Sequence, residues 1–169
     1  LPVFPSSRQR WLLIAFAALA CLACALVLQH AFDKQPCPLC ILQRYGFLGV
    51  ALFALLAAWR SPAIDHWLWG GLAAAAGLAG LGVAIHHVSL LANPEGASCS
   101  FAVARFVEEL PTAQWLPSVF SATGFCTDIG FELLGLSMPQ WSAVSLAALC
   151  LMALIGLGGD WRASRRAAG

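Results

Sequence analysis

Charge is scarce in this chain. Lys, Arg, Asp and Glu together make up 10% of its 169 residues, against 60% hydrophobic ones. A soluble domain carries about 25% charged residues with which to cover its surface, so the composition excludes an ordinary soluble fold and points to a membrane protein. No basic run is interleaved with aromatic residues, and a net charge of +1 carries no message for nucleic acid. No internal repeat of useful length exists. Histidine is equally sparse: His30, His86 and His87 lie at one level and His66 at the other end of the apolar runs. A four-helix cytochrome needs a second, deeper layer of paired axial ligands, and its absence sets a haem bundle aside.

Long apolar runs stand in place of the missing charge. A bilayer core needs about 20 apolar residues per helix, and four segments qualify: Trp11–Gln29, Ile41–Trp59, Trp67–Ile85 and Trp141–Gly158. The first follows Arg8 and Arg10 and imitates a signal peptide, but Leu12 to Leu28 is 17 residues, longer than a usual signal core. It is read as a retained span. Glycine and alanine crowd spans three and four, which suits close helix approach in lipid. The expected fold is an all-α membrane protein, a four-transmembrane-helix bundle forming one integral domain over residues 1–169.

Orientation follows from the Lys/Arg bias. Arg8, Arg10, Arg60, Arg162, Arg165 and Arg166 fall on one side, against Lys34, Arg44 and Arg105 on the other. Both termini are therefore expected in the cytoplasm. Trp11, Trp59, Trp67, Trp141 and Trp161 at span ends are read as an aromatic belt. Two loops then face out, one over about 30–40 and one over about 89–140. The second is too poor in alternating pattern for a β domain. Within it, Phe101–Leu110 places apolar residues on one helical face and charges on the other, the pattern of a short surface helix. Pro94, Pro111, Pro117 and Pro139 punctuate the rest.

The seven cysteines divide by depth. Cys21, Cys24 and Cys150 lie mid-span, where hydrocarbon strongly disfavours a thiolate, and are read as small packing residues. Cys37, Cys40, Cys99 and Cys126 lie on the outer side, where disulfides persist. Two structural disulfides, Cys37–Cys40 and Cys99–Cys126, are one reading of these four. A four-cysteine zinc site is another, and an oxidising compartment argues against it. The third reading is redox chemistry, because a Cys-x-x-Cys bridge closes a tiny loop and gains little chain entropy. Cys40 opens span two, where free backbone N–H groups and the helix dipole favour a thiolate. Arg44 follows one turn later on the same face, with forked donors suited to a thiolate, a quinone carbonyl or both. Its alternative role is an arginine snorkelling to lipid phosphates. His86 or His87, at the same depth, is placed to handle a proton or donate to a quinone oxygen.

The run Cys37-Pro38-Leu39-Cys40-Ile41-Leu42-Gln43-Arg44-Tyr45 resembles the bacterial disulfide bond formation protein B family, DsbB. So do His87-Val88-Ser89-Leu90, Ser98-Cys99-Ser100-Phe101, Gly124-Phe125-Cys126 and Leu134–Trp141, in order along nearly the whole chain. The resemblance implies an inner-membrane protein-disulfide oxidoreductase that reoxidises a periplasmic thioredoxin-fold oxidase, DsbA, and passes the electrons to ubiquinone or menaquinone. By position it implies Cys99 as the cysteine bonding to the partner, Cys126 as its mate, and Cys40 as the thiolate at the quinone. Arg44 and His87 would border that quinone, and no resident metal is implied. Gln43 stands where some members carry an acid, and no role is assigned to it. Two rival readings remain in view: a vitamin K epoxide reductase-like enzyme, which shares four helices and paired cysteines, and a structural membrane protein with ordinary disulfides.

Overall fold

Four long helices carry the chain in the computed structural model, which describes residues 6–33, 35–59, 63–93, 101–126 and 132–167. They are α1 (Ser7–Ala31), α2 (Pro38–Trp59), α3 (Ala63–Ala92) and α7 (Met138–Ala167). All four are long and apolar enough to cross a membrane, and each exceeds the apolar run that announced it. The excess comes from sequence signals at the ends. A capping box starts α1: the Ser6 hydroxyl accepts from Gln9 N at 3.3 Å, and the Gln9 side chain accepts from Ser6 N at 2.9 Å. Two of the otherwise orphaned N–H groups are thereby satisfied. In α2 the first helical residue is Pro38, which has no N–H to orphan.

The helices pack in a ring, α1 against α2, α2 against α3, α3 against α7 and α7 back against α1. Between α2 and α3 the backbones nearly touch, because a Cβ on Gly46 would sit 2.8 Å from Gly80 Cα. Small residues do this in lipid, where association rests on van der Waals packing rather than on hydrophobic burial. Cys150 fills the space over Gly77 and is buried, as a packing residue should be. Cys24 differs from expectation: it lies on the outer surface of α1 and packs into nothing within the bundle. Trp11 also departs from the belt reading. Its ring is fully buried in a slot floored by Gly70 and Gly156, and Nε1 donates to Asp160 at 2.9 Å. Ser7 Oγ and Arg10 Nη2 reach the other oxygen of the same carboxylate, each at 2.6 Å.

Between α3 and α7 lies the long second connection. The expected amphipathic helix is α4 (Phe101–Glu109), with Val107 buried against Ile41 and Phe120 while Arg105, Phe106 and Glu108 face outward. Pro111 and Pro117 do not merely break the chain. Each begins a short helix, α5 (Pro111–Trp115) and α6 (Pro117–Phe120). A two-stranded hairpin, β1 (Glu132–Leu133) with β2 (Leu136–Ser137), precedes α7. This is no β domain, in keeping with the poor alternation of the loop, and two-residue strands are too short to show alternation. Leu134 and Gly135 both take positive φ, 56° and 78°, as a two-residue hairpin turn requires, and Trp141 Nε1 donates to Leu133 O at 3.0 Å.

Candidate active site

At the start of α2 the chain brings Cys37 and Cys40 together. Cys37 takes the place of a helix cap: its carbonyl accepts from Ile41 N at 3.2 Å and its sulfur accepts from Cys40 N at 3.4 Å. This local capping geometry turns both side chains the same way. Cys37 and Cys40 are free thiols, with their sulfurs 3.2 Å apart and Cys37 donating. That hydrogen bond, then burial and the charge of the neighbouring sulfur, hold the Cys37 thiol far above the ordinary cysteine range. Cys37 therefore keeps its proton, and Cys40 is the sulfur that receives the bond.

Helix α3 supplies the third member. His87 is 1% exposed, with Nε2 3.6 Å from Cys37 Sγ and Nδ1 4.0 Å from Cys40 Sγ. Nε2 also lies 3.2 Å from the Cys126 carbonyl. A carbonyl only accepts, so the ring proton sits on Nε2 and the lone pair on Nδ1. Gln43 Nε2 stands 3.2 Å from that Nδ1 and donates to it. Of the two candidate histidines, His87 faces the thiols and His86 is exposed. His30 is exposed at the end of α1, bonded to Leu26 O at 2.8 Å, and takes no part.

The second loop is pinned against this pair. Thr123 N and Gly124 N both donate to Pro36 O at 3.1 Å. The crossing is so tight that a Cβ on Gly124 would lie 2.3 Å from Gln35 O, which is why glycine stands two residues before Cys126. Cys126 is disulfide-bonded and buried beside Cys37 and Leu39. Cys99 lies outside the described residues.

Arg44, one turn below Cys40, is 6% exposed. Its guanidinium donates to Val119 O in α6 and to Gln29 Oε1 in α1, while Gln29 Nε2 donates to Ser118 O at 3.3 Å. Snorkelling to lipid is thereby excluded. Two of its five N–H donors are engaged among the described residues, and Arg44 borders a cavity of about 110 Å³, the room of several water molecules. Cys40, Gln43 and His87 line it together with the apolar side chains of Leu22, Leu28, Phe47 and Met138. Tyr45, behind Arg44, stacks on Phe120 at 5.0 Å and bonds to Thr112, fixing α5 and α6 over the site.

The family model described as Disulfide bond formation protein DsbB matches residues 7–156. This chain belongs to the DsbB family. Among curated proteins it is 45% identical over 153 residues to Disulfide bond formation protein B of Ralstonia nicotianae, covering 90% of this chain and 94% of the relative. The protein of that name from Cupriavidus necator is also 45% identical, over 90% and 93%. That of Burkholderia ambifaria is 36% identical over 167 residues, 96% and 94%. The DsbB-family chain is thus a thiol oxidoreductase of disulfide bond formation in a multi-pass membrane fold, which removes the vitamin K epoxide reductase-like and purely structural readings. Sequence reasoning placed Cys37, Cys40, Arg44 and His87 together, and the geometry joins them with Cys126. It passed over Gln43, Gln29 and Gly124. For Gln43 a signal existed, since i+3 from Cys40 lies on the same helical face as Arg44 at i+4.

Proposed function

We propose that this DsbB-family protein reoxidises a DsbA-like periplasmic thioredoxin-fold oxidase and delivers the electrons to a membrane quinone. Its place is the bacterial inner membrane, with both termini cytoplasmic and the cysteines periplasmic, as the arginine bias supports. The carrying observation is the free thiol pair at the mouth of a cavity, with a disulfide-bonded Cys126 held beside it through His87. Cys21, Cys24, Cys37, Cys40 and Cys150 are all free, which supports Cys99 as the mate of Cys126.

In this reading the reduced partner's thiolate attacks Cys99, releasing Cys126 as the leaving sulfur. The partner's second thiolate then resolves the mixed disulfide, leaving the partner oxidised and Cys99 and Cys126 reduced. Exchange with the Cys37–Cys40 disulfide re-forms Cys99–Cys126 and leaves two thiols at the start of α2. In this scheme, the state with the inner pair reduced and Cys126 bonded is the one with the electrons waiting on the inner pair. Each exchange needs a thiolate aligned with a disulfide, and the Gly124 crossing keeps Cys126 within the neighbourhood of Cys37.

The cavity fits a quinone headgroup by its donor set: apolar side chains for the ring, Arg44 N–H groups for a carbonyl, and Cys40 at the rim. A quinone supplies a sink for two electrons and two protons. DsbA's own couple, at about −120 mV, is already strongly oxidising, so the acceptor must lie higher. On the protein's side, Cys40 presents the reactive sulfur and Cys37 holds the second proton until the disulfide re-forms. His87 offers its Nδ1 lone pair as a proton acceptor once Gln43 turns away. Quinone reduction driven by a reduced DsbA-like donor, compared for ubiquinone and menaquinone, tests this reading. Turnover retained in purified Cys40→Ala rejects it.

A further inference from the structure

Cys37, Cys40 and His87 are three donors for a soft or borderline cation, and their ligating atoms all lie within 4.8 Å of one another. Zinc holds sulfur at about 2.3 Å and imidazole nitrogen at about 2.0–2.1 Å, so tetrahedral angles set donor–donor edges of roughly 3.5–3.8 Å. The separations here, 3.2 Å between the sulfurs and 4.0 Å from Cys40 Sγ to His87 Nδ1, straddle that range. Small side-chain rotations would bring them to it.

The ring is also held as a ligand histidine is held. Metal-bound imidazoles donate their other N–H to a carboxylate or backbone carbonyl, which fixes ring plane and tautomer. His87 Nε2–H is already committed to the Cys126 carbonyl, leaving the Nδ1 lone pair on the side of Cys40 and Gln43. Besides the Cys40 sulfur, the Gln43 amide nitrogen is bonded at Nδ1, and it must turn aside when a cation arrives. The cavity beside Cys40 leaves a fourth coordination position open.

We propose that the reduced Cys37–Cys40 pair and His87 form a three-donor site for a thiophilic divalent cation, Zn²⁺ or Cd²⁺, present only in the dithiol state and inhibitory when filled. Binding is a proton exchange without electron transfer: one cation enters, the two sulfurs coordinate as thiolates, and their protons leave to water. Oxidation to the disulfide removes both sulfur ligands and expels the cation. The binding claim needs only the free thiols and His87, whereas the inhibition claim rests on the proposed quinone-linked turnover.

The test is a Cd²⁺ titration of the full-length reduced protein in detergent, following the thiolate-to-cadmium absorption band. Wild type should take up one more Cd²⁺ per chain than Cys37→Ser, and His87→Gln should weaken that site by about tenfold or more. Cys21→Ser should leave it unchanged, and protein with an oxidised inner pair should lack it. Equal uptake by wild type and Cys37→Ser, or undiminished uptake after oxidation, overturns the site. His87→Gln binding as tightly as wild type removes the imidazole and overturns the three-donor assignment, provided its melting temperature shows the variant folded. Donor-driven quinone reduction, measured with and without Cd²⁺ and then with chelator, separates the two claims. Uptake by a protein that never reduces quinone refutes the function and leaves the site, whereas normal turnover unaffected by saturating Cd²⁺ refutes the inhibition.

Discussion

Both ends of the bundle fasten α1 with polar side chains, but to opposite effect. At one end Asp160 receives Ser7, Arg10 and Trp11, so both carboxylate oxygens are engaged within one knot joining α1 to α7. At the other, Arg44 and Gln29 join α1, α2 and α6, yet Arg44 borders a cavity and the thiols of Cys37 and Cys40 form no disulfide. The contrast lies in the surroundings: Asp160 has both oxygens claimed and acts as a fastener, although Arg10 Nε there is buried with no partner among the described residues, whereas Arg44 borders open room and can serve a site. An unsatisfied buried donor is costly, and here the cavity leaves room for the acceptor that would satisfy it.

The sharpest way to break this comparison is at the thiols. Cys40→Ala should abolish donor-driven quinone reduction, a loss of at least about a thousandfold given that no other sulfur can replace the nucleophile, while circular dichroism stays unchanged. The same variant removes the acceptor of the Cys37 hydrogen bond. The raised Cys37 thiol should then titrate closer to the ordinary range, and its alkylation near pH 8 should become faster because more thiolate is present. An unchanged rate would show that the sulfur–sulfur contact does not hold the proton.

Next in size is Arg44→His, which should raise the quinone KM by about 10–100-fold, the loss of one charge-assisted hydrogen bond of about 1.5–3 kcal/mol. A KM equal to wild type would remove Arg44 from the site. Gly124→Ala should come third. Its Cβ would strike the Gln35 carbonyl, push residues 121–126 off the first loop, and slow internal disulfide exchange by about tenfold while quinone KM holds, as single-turnover kinetics would reveal. The smallest change in activity belongs to the far end. Asp160→Ala strands the buried Trp11 donor and the half-buried Arg10 and should cost about 1–3 kcal/mol, read as a lower melting temperature. Quinone KM should stay within about twofold, because distant independent sites rarely couple. A tenfold KM shift would mean that the two ends communicate.

Much of this arrangement was legible in the sequence. Four apolar runs gave four helices because a bilayer allows few alternatives, and Cys37, Cys40 and Arg44 were placed together by helical spacing alone. What escaped notice depended on neighbours far away in the chain. Trp11 at a span end reads as an interfacial residue, but Gly70 and Gly156 open a slot for it and Asp160 supplies the acceptor. Gln43 reads as a polar residue at a headgroup, and only the rotation of α3 turns His87 onto it. The choice between His86 and His87 was hidden for the same reason, since spacing gives relative faces and not the absolute rotation of a helix. Cys24, read as packing, faces outward because that side of α1 meets no other helix.

The near contact of Gly46 with Gly80 carries a consequence for inhibition. These glycines lie six residues beyond Cys40 and seven before His87, so sulfur and imidazole ride on two rods clamped at one fulcrum. A lipophilic molecule wedged at that fulcrum would splay the rods and part the reactive groups without ever meeting a thiol. Such a compound would act from within the lipid phase and would be indifferent to the oxidation state of the enzyme it disables.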